Sequence, residues 1–297
     1  MNFKKYNNLI DLFLEQCEKQ PKDKTFLNNL KNSNVNFTWG DVKSKVLLLA
    51  KEISKLIKKG DRCLLISENR PEWMISDLSI MLAGGITVPA YTTYVSRDYE
   101  YIINDCTPTI ILVSNDEQFN KIRNICEKNS FIKKIFSFEK LTKINNDKYV
   151  NIENFFRTDN LNKLDDVKIK IQRSDPACII YTSGTQGNPK GVILSHGGIL
   201  SNCEGGYELL KPILEKETRF LTWLPLSHSY EHSVQFIQIA VGAKVYYAEG
   251  IDKLIKNMSQ CSPHIMTAVP RFYQNLYQKI NTTFNKAKGL KKALVIN

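Results

Sequence analysis

Ala177-Cys-Ile-Ile-Tyr181 runs directly into Thr182-Ser-Gly-Thr-Gln-Gly-Asn-Pro-Lys190, an apolar strand opening into a loop of small, hydroxylated and basic residues. Gly184 and Gly187 let the backbone turn sharply and bring its N–H groups close to an anion. Thr182, Ser183 and Thr185 add hydroxyl donors, Gln186 an amide, and Lys190 a point charge. So many donors in a small space suit an oligophosphate. The spacing is not that of a Walker A loop. After Gly184 that pattern requires glycine at 189, where Pro189 stands, and Ser or Thr after the lysine, where Gly191 stands.

Outward from the loop, apolar runs alternate with helical patterns. On the amino-terminal side, Leu9, Leu12, Phe13 and Cys17 have helical spacing, and Thr25–Leu30 with Val35–Phe37 reads as a short hairpin. Thr38 and Asp41 form a capping pair for a helix reaching about Lys58, which Gly60 stops. Strands at 63–67, 87–90, 109–113 and 135–138 are separated by helices after Pro71, after Ser96 and near Gln118–Glu127. Beyond the loop, 219–224, 243–248 and 264–269 read as strands, and each of these, like 177–181, is expected to lead into a helix. The pattern predicts an α/β fold, mostly parallel sheets flanked by helices. Its organisation reads as a first α/β subdomain over 1–138, a polar surface excursion over 139–176, and a second α/β subdomain with the phosphate loop over 177–297.

The chain has 297 residues with 41 basic against 30 acidic side chains, a net charge of +11. The lysines are scattered in ones and twos, without a basic block or a recognisable nucleic-acid motif, so a solvated surface is expected rather than a nucleic-acid partner. Seven cysteines are widely spaced without a C-x-x-C pair, a poor disulfide framework and a poor zinc site, and they imply a reducing, cytoplasmic setting. Four histidines without an H-E-x-x-H motif predict no metal site. The longest apolar run, 46–50, is too short to span a bilayer.

Tyr181–Val192 resembles the signature of the AMP-forming acyl-CoA synthetase (adenylate-forming) superfamily, Y-T-S-G-T-T-G-x-P-K-G-V, with Gln186 in place of a second threonine. Asn69-Arg-Pro-Glu-Trp73, Gly85-Ile-Thr-Val-Pro-Ala-Tyr-Thr92, Leu224-Pro-Leu-Ser-His228 and Val269-Pro-Arg-Phe-Tyr273 resemble blocks of its long-chain fatty acid–CoA ligase branch. The resemblance implies attack of a fatty carboxylate on the α-phosphate of Mg-ATP, then displacement of AMP by the thiol of coenzyme A. ATP, Mg2+ and coenzyme A are the implied cofactors. It assigns Thr182, Ser183, Gly184, Thr185, Gln186, Gly187 and Lys190 to the β- and γ-phosphates, and His228 with Glu231 to the acyl and adenylate site.

For His228 the plain alternative is a core histidine satisfied by backbone, and for Glu231 a solvated helix residue. Trp223 is a packing aromatic or a liner of an acyl pocket. His196, His232 and His264 receive no role.

The family's glycine-rich adenine segment, Tyr-Gly-x-Thr-Glu stretch, ribose aspartate and carboxy-terminal lysine domain have no counterpart in this sequence. The expectation is an incomplete amino-terminal domain of the adenylate-forming fold, inactive or poorly active alone and in need of its carboxy-terminal portion. A lipid substrate also brings peripheral membrane contact into view. The competing readings are another carboxylic-acid adenylating enzyme and a non-catalytic module that binds nucleotide or a partner.

Overall fold

The side chain of Asn8 accepts the N–H groups of Ile10 and Asp11, both at 2.9 Å, and so starts α1 (Leu9–Lys19). β1 (Thr25–Asn29) and β2 (Asn36–Thr38) form the expected hairpin. The capping pair is present: Thr38 Oγ1 accepts the Asp41 N–H at 3.1 Å, and Asp41 Oδ2 accepts the Thr38 N–H at 2.9 Å. It starts α2 (Trp39–Ser54). Gly60, at φ +88°, then turns the chain into the first parallel strand. This computed structural model describes residues 1–32, 35–142, 146–156, 169–182 and 189–286, and the chain divides into two compact units, Met1–Ile265 and Met266–Asn297.

In the first unit, β3 (Arg62–Ile66), α3 (Pro71–Leu82), β4 (Ile86–Ala90), α4 (Ser96–Cys106), β5 (Ile110–Val113), α5 (Asp116–Lys128) and β6 (Lys134–Ser137) follow one another as strand and helix. Residues 146–156 add β7 (Tyr149–Asn151) and the single turn α6 (Glu153–Phe156). β8 (Pro176–Thr182) is followed not by a helix but by β9 (Lys190–Ser195), which returns antiparallel to it. Here the expected strand–helix alternation fails. These seven strands form one sheet in the order β7-β6-β5-β3-β4-β8-β9, parallel except for β9.

The period-two geometry of strands divides this sheet's side chains between two cores. Cys63 and Leu65 point into one, Leu64 and Ile66 into the other; Ile110 and Leu112 are likewise opposed to Ile111 and Val113. The second core is closed by Tyr99 and Ile102 of α4 with Phe119 and Ile122 of α5. The first is the larger and reaches the second sheet, where Phe26 stacks on Trp39 at 3.7 Å between ring centres. α3 is buried along its whole length and packs on β1 as well as on β3 and β4, so it fills the space between the sheets.

The chain continues with α7 (His196–Leu210), β10 (Arg219–Thr222), α8 (Ser229–Ala240), β11 (Lys244–Tyr247) and α9 (Leu254–Cys261). In the second sheet β10, β11 and β1 are parallel neighbours and β2 closes the hairpin edge. Of the strand expected over 264–269, only β12 (Ile265–Met266) is extended.

In the second unit, α10 (Pro270–Lys286) has Pro270 at its first position, and Tyr273 and Tyr277 are exposed on it. Among the described residues no helix is long and apolar enough to cross a membrane.

Candidate functional site

β8 and β9 hold the ends of the glycine-rich loop in fixed register, with Thr182 opposite Lys190 and Tyr181 opposite Gly191. Both Thr182 and Lys190 are exposed at this mouth. Ser183, Gly184, Thr185, Gln186 and Gly187, the rest of the expected phosphate-binding set, lie outside the described residues. Gly191 has a packing reason to be glycine: a Cβ there would lie 2.8 Å from Ile179 Cγ2 and 3.4 Å from the Tyr181 ring. The Tyr181 hydroxyl donates a short hydrogen bond to Asp105 Oδ2 of α4. Burial, helped by that carboxylate, pushes the Tyr181 phenol well above its ordinary range, so it stays a donor. The base of the loop is thereby tied to the helix layer.

A cleft of about 990 Å³ opens at the carboxyl ends of the parallel strands. Ser67 and Asn69 enter it beyond β3, Tyr91 beyond β4, Asn115 beyond β5, Trp223 beyond β10 and Ala248 beyond β11. Open α/β sheets characteristically bind ligands in this position, because strand ends and the loops after them converge there. Trp223, one of two readings in the sequence, is a wall of this cleft.

His228 and Glu231, three residues apart, are separated by the start of α8. His228 is the exposed N-cap, and its Nδ1 accepts the Tyr230 N–H at 3.2 Å. Glu231 is 1% exposed and faces the interior. There burial, with Glu72 and Glu231 adding negative charge, pushes the Tyr247 phenol far up. Neither His228 nor Glu231 lines the cleft, although the adjacent Ser227 does.

Two arrangements have no counterpart in the sequence reading. Asn69 bridges the chain beyond β10: its Nδ2 donates to Leu224 O at 2.6 Å, and its Oδ1 accepts the Leu226 N–H at 3.0 Å. His232 Nε2 lies 2.8 Å from Asp77 Oδ2 in the interior, and Gln235 Nε2 donates to the same oxygen at 2.9 Å. Burial opposes a charge on His232, but the Asp77 carboxylate outweighs it and raises the imidazole to about 10. Asp77, a carboxylate in the middle of the mostly apolar run 73–82, was the available signal for this pair.

The other histidines are also structural. Buried His196 accepts the Leu9 N–H on Nδ1 at 3.4 Å, and burial lowers it to about 4. His264 Nδ1 accepts the Arg219 N–H at 3.3 Å. Among the described residues no group of three or more His, Cys, Asp or Glu side chains is arranged to hold a metal ion.

The same fold occurs in solved structures. The amino-terminal domain of FACL13 from Mycobacterium tuberculosis superposes with a TM-score of 0.76 at 18% identity, covering 92% of this chain and 65% of that one. A luciferase-like enzyme from the mealworm Zophobas morio does so with a TM-score of 0.77, also at 18% identity, over 92% of this chain and 61% of that one. Among curated proteins, the chain is 29% identical to fatty acyl-CoA synthetase A of Dictyostelium discoideum, over 80% of this chain and 36% of the relative. It is 28% identical to long chain acyl-CoA synthetase 3 of Arabidopsis thaliana, over 96% of this chain and 45% of the relative. The chain thus spans less than half the length of these relatives. Residues 13–296, nearly the whole chain, match the family of AMP-binding enzymes. With the strand–loop–strand unit at 176–195 and the cleft at the strand ends, that match settles the family: the chain belongs to the AMP-binding enzymes.

Proposed function

We propose that this chain carries the pyrophosphate-holding part of a site that activates a long-chain fatty acid with ATP, first to the acyl-adenylate and then to acyl-CoA. The observation that carries the reading is the nine-residue stretch of glycines, hydroxyls and lysine whose ends, Thr182 and Lys190, face each other at the tip of β8 and β9. A carboxylate is a poor acyl electrophile, and adenylation supplies it with a leaving group. The protein's task is to orient the nucleotide and neutralise the charge that gathers on departing pyrophosphate. Thr182, Ser183, Gly184, Thr185, Gln186, Gly187 and Lys190 would do this. The residues present suit a magnesium ion delivered on the nucleotide's own phosphates, since it commonly binds through phosphate oxygens and few carboxylates. His228, exposed beside the cleft-lining Ser227, is the side chain proposed to meet the acyl–phosphate junction, with Glu231 behind it.

The name of the Dictyostelium relative favours a fatty acid and that of the Arabidopsis relative a long-chain one. The test is exchange of labelled pyrophosphate into ATP by the 297-residue chain, with palmitate, benzoate and amino acids as alternative acids. Palmitate-dependent exchange supports the reading, and exchange driven only by benzoate or an amino acid overturns the substrate class. The second reading, nucleotide binding without turnover, is favoured by the position of His228 and Glu231 outside the lining of the cleft. ATP binding in equilibrium dialysis with no exchange for any acid would support it.

A further inference from the structure

β10 ends at Thr222, and the chain then runs past the end of its ladder toward α8. Leu224 and Leu226 are buried in this run, so the backbone groups that flank Pro225 need partners. Asn69 supplies both, donating to Leu224 O and accepting from the Leu226 N–H. A carbonyl and an N–H two residues apart are what a neighbouring strand would pair with, and the planar amide of one side chain replaces that strand.

Pro225 restrains the residue before it to an extended conformation, which keeps the two groups in line. The His228 N–H then bonds Pro225 O at 3.0 Å, and the His232 N–H bonds His228 O at 2.9 Å as α8 begins. Asn69 is itself held. Its neighbour Arg70 bonds Glu72 at 2.9 Å and Glu139 at 2.8 Å, and Pro71 opens α3. The connection between β3 of the seven-stranded sheet and α3 is thus tied to the chain leaving the other sheet, 155 residues away.

We propose that Asn69 is a positioning residue: its amide holds residues 223–228 in place, and through them sets the Trp223 wall of the cleft and the ring of His228. The role in the reaction rests on the function proposed above, whereas the clamp itself does not. Asn69→Ala removes both bonds, and Asn69→Asp keeps the acceptor for Leu226 but turns a carboxylate oxygen toward Leu224 O.

The experiment compares both variants with the unaltered full chain by four measurements. In Asn69→Ala, amide exchange of Leu226 and His228 should accelerate about tenfold or more, as the loss of one to two hydrogen bonds requires, while exchange in β3 stays slow. Acrylamide quenching should rise, because Trp39 and Trp73 are fully buried and Trp223 is the tryptophan at the cleft. The His228 ring nitrogen signals should move toward those of a free imidazole. In acid-dependent pyrophosphate exchange, kcat should fall about tenfold with KM for ATP nearly unchanged. Asn69→Asp should retain protection at Leu226 and lose it at His228.

Unchanged Leu226 exchange and unchanged His228 signals in Asn69→Ala would overturn the clamp. A loosened loop with an undiminished kcat would overturn its role in positioning. If the unaltered chain shows no acid-dependent exchange, the functional reading fails, and the amide and ring signals still decide whether Asn69 holds the loop.

Discussion

Thr182 and Lys190 occupy adjacent positions on two antiparallel strands, so the ends of the glycine-rich loop are anchored whatever ligand it meets. Lys190 is exposed there, and its ammonium contributes nothing to the core. Lys190→Ala should therefore leave the thermal midpoint within about a degree while lowering kcat/KM in pyrophosphate exchange by about a hundredfold, the scale of one removed anion donor. Equal activity in the variant would take Lys190 out of the phosphate site. This role could be proposed from sequence because its chemistry is local: the donors along the loop are consecutive. Asn69 and His232 could not be read in the same way. Each acts on a partner 155 residues distant, and no spacing rule connects them.

At the scale of elements, the strands that were legible are those buried on both faces, where an uninterrupted apolar run of four or five residues is diagnostic. β3 and β5 are of this kind. β9 is largely exposed, and β7 is half-buried over three residues, so neither carries a period to read. α3 and α8 give the opposite lesson. Both are buried almost throughout, and a helix buried on all sides must satisfy any polar group it carries. Asp77 Oδ2 and His232 Nε2 meet that requirement by pairing across the two helices.

Removing one partner leaves the other charged in the interior. Asp77→Asn should cost about 3–5 kcal/mol in urea unfolding, whereas Asp77→Leu combined with His232→Leu should cost far less or stabilise. If the single variant proved no worse than the double, the pair would not be ionic. The same measurement bears on the site, because α8 begins at His228 and any rotation of the helix would move Glu231 out of the interior.

For the whole molecule these buried histidines set opposite limits on stability. His196 is faced by Asp175, Asp77 and Asp11, with Lys59 opposing them, and burial still lowers it from 6.5 to about 4. Between those values the unfolded chain binds the proton and the folded chain does not, so stability drains away as pH falls from 6.5 toward 4. His232, beside Asp77 and Cys178, is raised from 6.5 to about 10. Its contribution is complete below 6.5 and declines as pH rises through 10, because the folded chain holds a proton that the unfolded chain has released. Glu15, lowered from 4.5 to about 2 by Lys19 and Lys5, acts below pH 4.5, and the thiols of Cys17, Cys106, Cys126 and Cys203, raised by burial from 9.0 to about 12, steepen the alkaline limb from pH 9 upward. The urea midpoint of the full chain should therefore peak near pH 6.5, with each limb worth a few kcal/mol at its end. His196→Gln should flatten the acid limb alone. The double variant Asp77→Asn/His232→Gln should flatten the alkaline limb between pH 6.5 and 9 and leave the acid limb unchanged, since it removes the imidazole without leaving a buried carboxylate in its place. A midpoint that stays level or rises from pH 6.5 to 9 in the unaltered chain would show that folding does not retain a proton on the buried His232 pair.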